Sequence, residues 1–396
     1  MAISTKIQDM IANSSWIRKM FEEGDNLRKQ FGAENVFDFS LGNPNIEPPD
    51  KFKEALIQAA AAVIPNKHGY MPNAGYPETR KSVAAYQSSI RGVPLAFNNI
   101  IMTCGAGGAL NVILKALLNP NEEVIVPTPC FVEYRSYVDN AGGVTKFVKT
   151  QSDFSLDLSA IAAAITEKTK IVLINSPNNP TGKVYDGAAI KGLADVLRDK
   201  SRTLGEDIYL ISDEPYTDIV YDGAEVPSVL AAYENSIIAT SYSKSLSLPG
   251  ERIGYLAINP ALKGVAMVID AAILCNRILG FVNAPALMQR VIVNLQGAQV
   301  AVAEYKRKRD LLCDGLAALG YKFVKPAGAF YLFPQSPIED DVLFVKALLQ
   351  EKIICVPGSG FSGPGFFRIS YCVEDRTIIN SMDGFGKVMK SFNGGR

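Results

Sequence analysis

Residues 171–182 read IVLINSPNNPTG, four apolar residues running without a break into a turn rich in Asn and Pro. A strand with one face in water alternates apolar and polar side chains, so an unbroken apolar run reads as a strand covered on both faces. Similar runs stand at Val124-Ile125-Val126, Ile208-Tyr209-Leu210-Ile211 and Ile237-Ile238-Ala239. Stretches of helical period separate them, including Ala109 to Leu118 and Ala188 to Lys200. Covered strands alternating with helices make an α/β protein with a mainly parallel sheet.

After about Asn294 the character changes. AEYKRKRDLLCDGLAALG at 303–320 leads into YKFVKPAGAFYLF and then FFRISYC, two β-like segments with flanking helices. This predicts a large domain over residues 46–294 and a smaller α+β domain made of 1–45 and 295–396. The Lys306–Arg309 run KRKR is expected on the solvated face of a helix.

Composition narrows the function classes. The chain has 396 residues, 48% of them apolar, enough for a full core in two or three domains or one large one. Lys+Arg and Asp+Glu are each 40, so no global field attracts a polyanion, and a nucleic-acid or anionic-membrane partner is not expected. His68 is the one histidine and sits in a Gly- and Pro-punctuated loop, which argues against a Ser-His-Asp triad or a multi-His metal centre. Six scattered cysteines, without C-x-x-C, suit buried thiols in a reducing compartment. The first residues lack a signal-peptide pattern, and no apolar run reaches the ~20 residues needed to cross a bilayer, so a cytoplasmic protein is expected.

In open α/β sheets, active sites collect beyond the carboxyl ends of the strands. Three runs end in unusual polar sequences: Asn175-Ser176-Pro177-Asn178-Asn179-Pro180-Thr181-Gly182, Ser212-Asp213-Glu214-Pro215-Tyr216, and Thr240-Ser241-Tyr242-Ser243-Lys244 with Arg252 eight residues on. Earlier, Gly105-Ala106-Gly107-Gly108 opens a helix, where free backbone amides suit a phosphate. It does not match the nucleotide P-loop pattern. Each alone is also an ordinary turn, cap or surface residue.

Together they resemble the class I/II aminotransferases of pyridoxal-phosphate fold type I, the aspartate aminotransferase family. The matching segments are LGNP at Leu41, GYMPNAGYPETR at Gly69, TCGAGGAL at Thr103, NSPNNPTG at Asn175, SDEPY at Ser212, SYSKSLSLPGERIGY at Ser241 and FFRISY at Phe366, in the family's order. The resemblance implies a mainly parallel seven-stranded sheet between helices, a smaller α+β domain, and a homodimer with shared sites. It implies transfer of an amino group from an L-amino acid to a 2-oxo acid, in a ping-pong cycle through pyridoxamine phosphate.

It also implies roles. Lys244 matches the Schiff-base lysine and proton carrier, Asp213 the carboxylate beside the ring nitrogen, and Tyr216 and Asn179 the partners of the ring's phenolic oxygen. Gly105, Ala106, Gly107, Ser241, Ser243 and Arg252 match phosphate ligands, and Tyr70 would reach the phosphate of the neighbouring subunit. Phe131 matches the aromatic that stacks on the ring, although ordinary core packing reads equally well. Arg368 matches the fork for the substrate α-carboxylate, with Asn179 beside it and Gly42 as the covering backbone.

Side-chain specificity stays open: Arg277 would favour dicarboxylic substrates if it reached the partner's site, or would form a structural salt bridge. Trp16 and Ile17 would favour apolar ones, or form the core face of a helix. A β-elimination lyase on a sulfur amino acid is the alternative reaction. A ligand-sensing regulator is the other, disfavoured because the fold's own N-terminal segment leaves no room for a DNA-binding domain.

Overall fold

A computed structural model describes residues 3–12 and 16–393, without the side chains of a few residues near the termini, Trp16, Ile17 and Arg18 among them. The expectations on Trp16 and Ile17 therefore lie outside the described residues. Strand β1 (Phe37–Asp38) is followed by seven strands of one sheet: β2 (Ile100–Thr103), β3 (Glu123–Thr128), β4 (Val144–Lys149), β5 (Thr169–Asn175), β6 (Tyr209–Asp213), β7 (Ser236–Ser241) and β8 (Gly254–Ile258). Their order is β2-β8-β7-β6-β5-β3-β4, and only β8 runs antiparallel to its neighbours.

The unbroken apolar runs serve both faces. Ile171 and Leu173 of β5 join Ile211, Ile237 and Ala239 in one core, while Val172 and Ile174 join Leu210 and Ile238 in the other. Successive side chains on a strand point to opposite faces, so an all-apolar strand needs a helical layer on each. Helices Gly105–Leu117 and Val265–Ile278 cover the first face, and Pro77–Arg91 and Gly187–Leu204 the second. In Gly187–Leu204 the buried residues are Ile190, Leu193, Ala194 and Leu197, one helical stripe, and the Asp186 carboxylate caps the start by accepting from the Ala189 amide.

The C-terminal strands are short: β9 (Tyr331–Leu332), β10 (Ile353–Ile354), β11 (Val356–Pro357) and β12 (Phe367–Ser370). Strands β11, β12 and β9 pair antiparallel, and β1 pairs parallel with β10, which ties residues 37–38 to the C-terminal third. Only two residues of YKFVKPAGAFYLF become strand; Pro326 has no amide hydrogen to donate and Ala329 takes a positive φ. A third core gathers Phe39, Tyr305, Leu312, Phe330, Phe344 and Phe385, and it takes Tyr216, Ile219 and Tyr221 from the segment after β6. That capture holds the SDEPY segment between the sheet edge and the C-terminal strands.

The KRKR run differs from expectation. Helix Val302–Ala318 buries Lys308 and Arg309, and Lys306 and Arg307 pair with Asp310, Asp222, Glu304 and Asp375. Acidic residues distant in sequence turn a charge run into a seam. His68 is exposed in a turn. All six cysteines are free thiols. Among the described residues no group of His, Cys, Asp and Glu is placed to hold a metal ion, and no helix is long and apolar enough to cross a membrane.

Candidate active site

Parallel pairing sets the site. Asn175 at the end of β5 lies opposite Asp213 at the end of β6, and Asp213 opposite Ala239 of β7, so the polar residues that follow emerge along one sheet edge. The Asn175 amide group donates to the Asp213 carbonyl at 2.8 Å, and its own oxygen accepts from the Asn179 amide at 2.7 Å, fastening the NNPTG turn to that edge.

Asp213 is buried. The Tyr134 hydroxyl donates to its Oδ2 at 2.5 Å, and its Oδ1 has no hydrogen-bond partner. Burial pushes the carboxyl up to about 7; the Tyr134 hydrogen bond opposes the shift and Glu214 adds to it. Glu214 turns instead to Arg91, whose Nη2 stands 2.6 Å from its Oε2 in an ion pair that falls short of hydrogen-bond geometry.

Lys244 follows β7 and is half-buried. Its Nζ donates to the Gly42 carbonyl at 2.7 Å and lies 5.5 Å from the Phe330 ring centre. Burial brings the amine down to about 8; Cys372 opposes this, while Arg368 and Arg252 lower it further. Gly42 is needed for close approach, because a Cβ there would stand 1.9 Å from the Tyr331 hydroxyl. That hydroxyl shares a 2.8 Å hydrogen bond with the Tyr216 hydroxyl.

Arg368, on β12, is 2% exposed. Its Nη1 donates to Asn179 Oδ1 at 3.1 Å and its Nη2 to the Ser40 carbonyl, while Nε has no partner. The guanidinium lies 4.8 Å from the Tyr331 ring and 4.6 Å from the Phe361 ring. No carboxylate of the described residues pairs with it. Burial lowers its pKa from the ordinary arginine value.

A third group forms where helix Gly105–Leu117 begins. Cys104 offers no side-chain cap, so the first amides of the helix are free of one. Arg252 comes within 3.1 Å of where a Cβ of Gly105 would stand, and Gly105 takes a φ of +71°. Gly254 lies opposite Ser241 across β7 and β8, and a Cβ on it would stand 2.9 Å from Gly105 Cα. Ser241, Ser243, Arg252 and the Gly105–Gly107 turn thus converge, an arrangement suited to an anion.

The structure therefore brings together Lys244, Asp213, Tyr216, Asn179, Arg368 and Gly42, with the phosphate-type group beside them. Phe131 is half-buried and packs edge-on against Tyr134, ring centres 5.5 Å apart. Tyr70 is 89% exposed and makes no hydrogen bond to these residues within its own chain. Arg277 is exposed and forms no ion pair among the described residues, so the structural salt bridge is absent. Sequence reasoning missed Tyr134, Tyr331 and Ser40. The first two are aromatics in apolar stretches, which read as core.

With this geometry in view, similarity to known proteins is informative. The sequence model for aminotransferase class I and II matches residues 34–383. A probable aspartate aminotransferase of Methanocaldococcus jannaschii is 35% identical, over 88% of this chain and 92% of its own. The aspartate/prephenate aminotransferase of Thermus thermophilus is 34% identical, over 92% and 93%. Among solved structures, an amino transferase from Eubacterium rectale has 39% identity and a TM-score of 0.96, covering 99% of this chain and 100% of that one. The chain belongs to the class I and II aminotransferases, the pyridoxal-phosphate-dependent enzymes that transfer amino groups.

Proposed function

We propose that this pocket holds pyridoxal phosphate on Lys244 and moves the amino group of an L-amino acid to a 2-oxo acid. The observation that carries the reading is Asp213 Oδ1, a buried carboxylate oxygen with no partner, which fits a protonated ring nitrogen. The uncapped helix start with Arg252, Ser241 and Ser243 fits the phosphate, and an amine held near 8 fits imine chemistry. Tyr216 and Asn179 fit the ring's phenolic oxygen, and Phe131 its face.

Bound there, the cofactor supplies an electron sink for the substrate's Cα–H bond and a carrier for the amino group. The residues do the rest. Arg368 takes the α-carboxylate through its free Nε, with Asn179 beside it. Lys244, brought down to about 8, has a substantial neutral fraction at physiological pH and can take the Cα proton and return it. Asp213 holds a proton or a cation opposite Oδ1, and Tyr134 fixes its other oxygen.

Substrates are amino and 2-oxo acids. The relatives are named for aspartate, prephenate and aromatic amino acids, and these form the first panel to assay. A homodimer is supported by helix Val265–Ile278: it buries Val268, Ala272 and Cys275 inward while Met267, Leu274 and Ile278 stand exposed on another face. The Tyr70 loop is stitched to the end of that helix, since Asn276 donates to the Asn73 carbonyl and Asn73 to the Val282 carbonyl. Tyr70 and Arg277 are then candidates to serve the partner's pocket. We read the chain as cytoplasmic and keep the domain division at 45/46 and 294/295.

Incubation of the loaded enzyme with one L-amino acid and no acceptor separates the reactions. Release of about one 2-oxo acid per chain followed by a stop is expected for amino-group transfer. Continuous release of 2-oxo acid with ammonia contradicts it and assigns a lyase.

A further inference from the structure

A cavity of about 370 Å³ lies beyond β6 and β7, between helix Pro77–Arg91 and residues 215–226. Its walls include Arg91, Asp218, Glu225, Tyr86, Tyr242 and Tyr255. The proposed transfer reaction does not use it. Thr240 and Ser241 at the end of β7 also line it, so it backs onto the catalytic pocket without being part of it.

The charges in its wall do not balance locally. Arg91 is 7% exposed, and its cation is answered from behind by Glu214 at 2.6 Å, with Nε donating to Gln87 at 3.1 Å. Asp218 and Glu225 have no ion pair or hydrogen bond among the described residues. Cancelling Arg91 against Glu214 leaves these two carboxylates uncompensated. Burial pushes the Asp218 carboxyl up; Arg91 opposes the shift and Glu214 adds to it, so a cation beside it would be welcome.

A separate observation points to a ligand. Tyr255 is 5% exposed, lines the same cavity, and its hydroxyl has no hydrogen-bond partner among the described residues. Buried hydroxyls ordinarily find one. With Tyr86 and Tyr242 it also gives the cavity three aromatic rings, which attract cations through their faces. An anionic ligand would meet two unpaired carboxylates and an arginine already neutralised.

We propose that this cavity binds a small organic ammonium ion, with Asp218 and Glu225 as counter-ions and the Tyr255 hydroxyl as an acceptor. The cation could be a primary amine or a quaternary ammonium, and two probes distinguish them. One is 1,4-diaminobutane; the other is butyltrimethylammonium, which cannot form an imine with an aldehyde cofactor and so reports on the cavity alone.

Calorimetric titration of the borohydride-reduced holoenzyme, at a fixed physiological concentration of potassium chloride, tests the site. The expected result is saturable binding of at least one probe, weakened about tenfold in Asp218→Asn and in the exposed-site variant Glu225→Gln. Preference for the diamine assigns a carboxylate-led site and preference for the quaternary ion an aromatic one; either supports the proposal. No saturation by about 10 mM of both probes, or binding unchanged in both variants, overturns it. Because the measured quantity is binding and not turnover, this outcome is independent of the proposed transfer reaction.

Discussion

Arg309 and Arg368 are the two largest fully buried side chains, and they have opposite surroundings. Arg309, 1% exposed in the seam of helix Val302–Ala318, reaches Asp222 and Asp310 at 2.7 Å each, donates to the Pro326 carbonyl at 2.9 Å and stacks 4.7 Å from the Tyr221 ring. Burial works against its charge, but the two aspartates outweigh it and its pKa is raised. Arg368 has a carbonyl, an amide oxygen and two rings, and burial lowers its pKa. A buried cation without an anion is costly, by several kcal/mol, unless something arrives to pair with it. The paired arginine builds the fold; the unpaired one is where a carboxylate is missing from the chain and is to be brought by the substrate.

The sharpest way to break this comparison is to remove each cation in turn. Arg368→Leu is expected to lower kcat/KM by roughly 1000-fold, through loss of a buried charge pair with the substrate, while urea unfolding shows stability equal to or above the parent. Arg309→Met is expected to do the reverse: a loss of about 2–3 kcal/mol in stability, with kcat/KM within about twofold. If Arg368→Leu unfolds as readily as Arg309→Met, the distinction between a vacant and a filled cation is wrong.

A smaller effect separates the two oxygens of Asp213. Tyr134→Phe removes the donor to Oδ2 and should weaken cofactor binding about tenfold, measured by equilibrium titration of the cofactor-free protein. Unchanged affinity would mean that the hydroxyl does not position the carboxylate. The gentlest test is a midpoint. Burial lowers the Lys244 amine to about 8, so its reaction with an aldehyde reagent in the cofactor-free protein should rise as pH passes through about 8, well below the 10.5 of an ordinary lysine. In linkage terms the folded state favours the neutral amine, so this group's penalty on stability is full below pH 8 and vanishes above 10.5.

Much of this was legible in the chain. Unbroken runs such as Ile171–Ile174 reveal a doubly covered sheet because each face needs its own apolar set, and the polar residues that follow mark the carboxyl edge. The segment boundaries held to within a few residues: the expected helix Ala188 to Lys200 is Gly187–Leu204. What sequence could not carry was convergence. Tyr134 is 79 residues from Asp213, and Tyr331 is 115 from Tyr216, and an aromatic in an apolar stretch gives no sign that its hydroxyl is committed. KRKR misled for the same reason, since its partners Asp222 and Asp375 are remote. Tyr70 and Arg277 point outward from a single chain, and their roles depend on a second copy.

The central claim is that Lys244 carries the cofactor, and borohydride tests it most directly. Purified protein loaded with pyridoxal phosphate, reduced and digested, should carry the added mass on the peptide containing Lys244 and on no other, and Lys244→Ala should take up no label and transfer no amino groups. A Lys244→Ala variant that is still labelled at another lysine and transaminates normally would contradict the account.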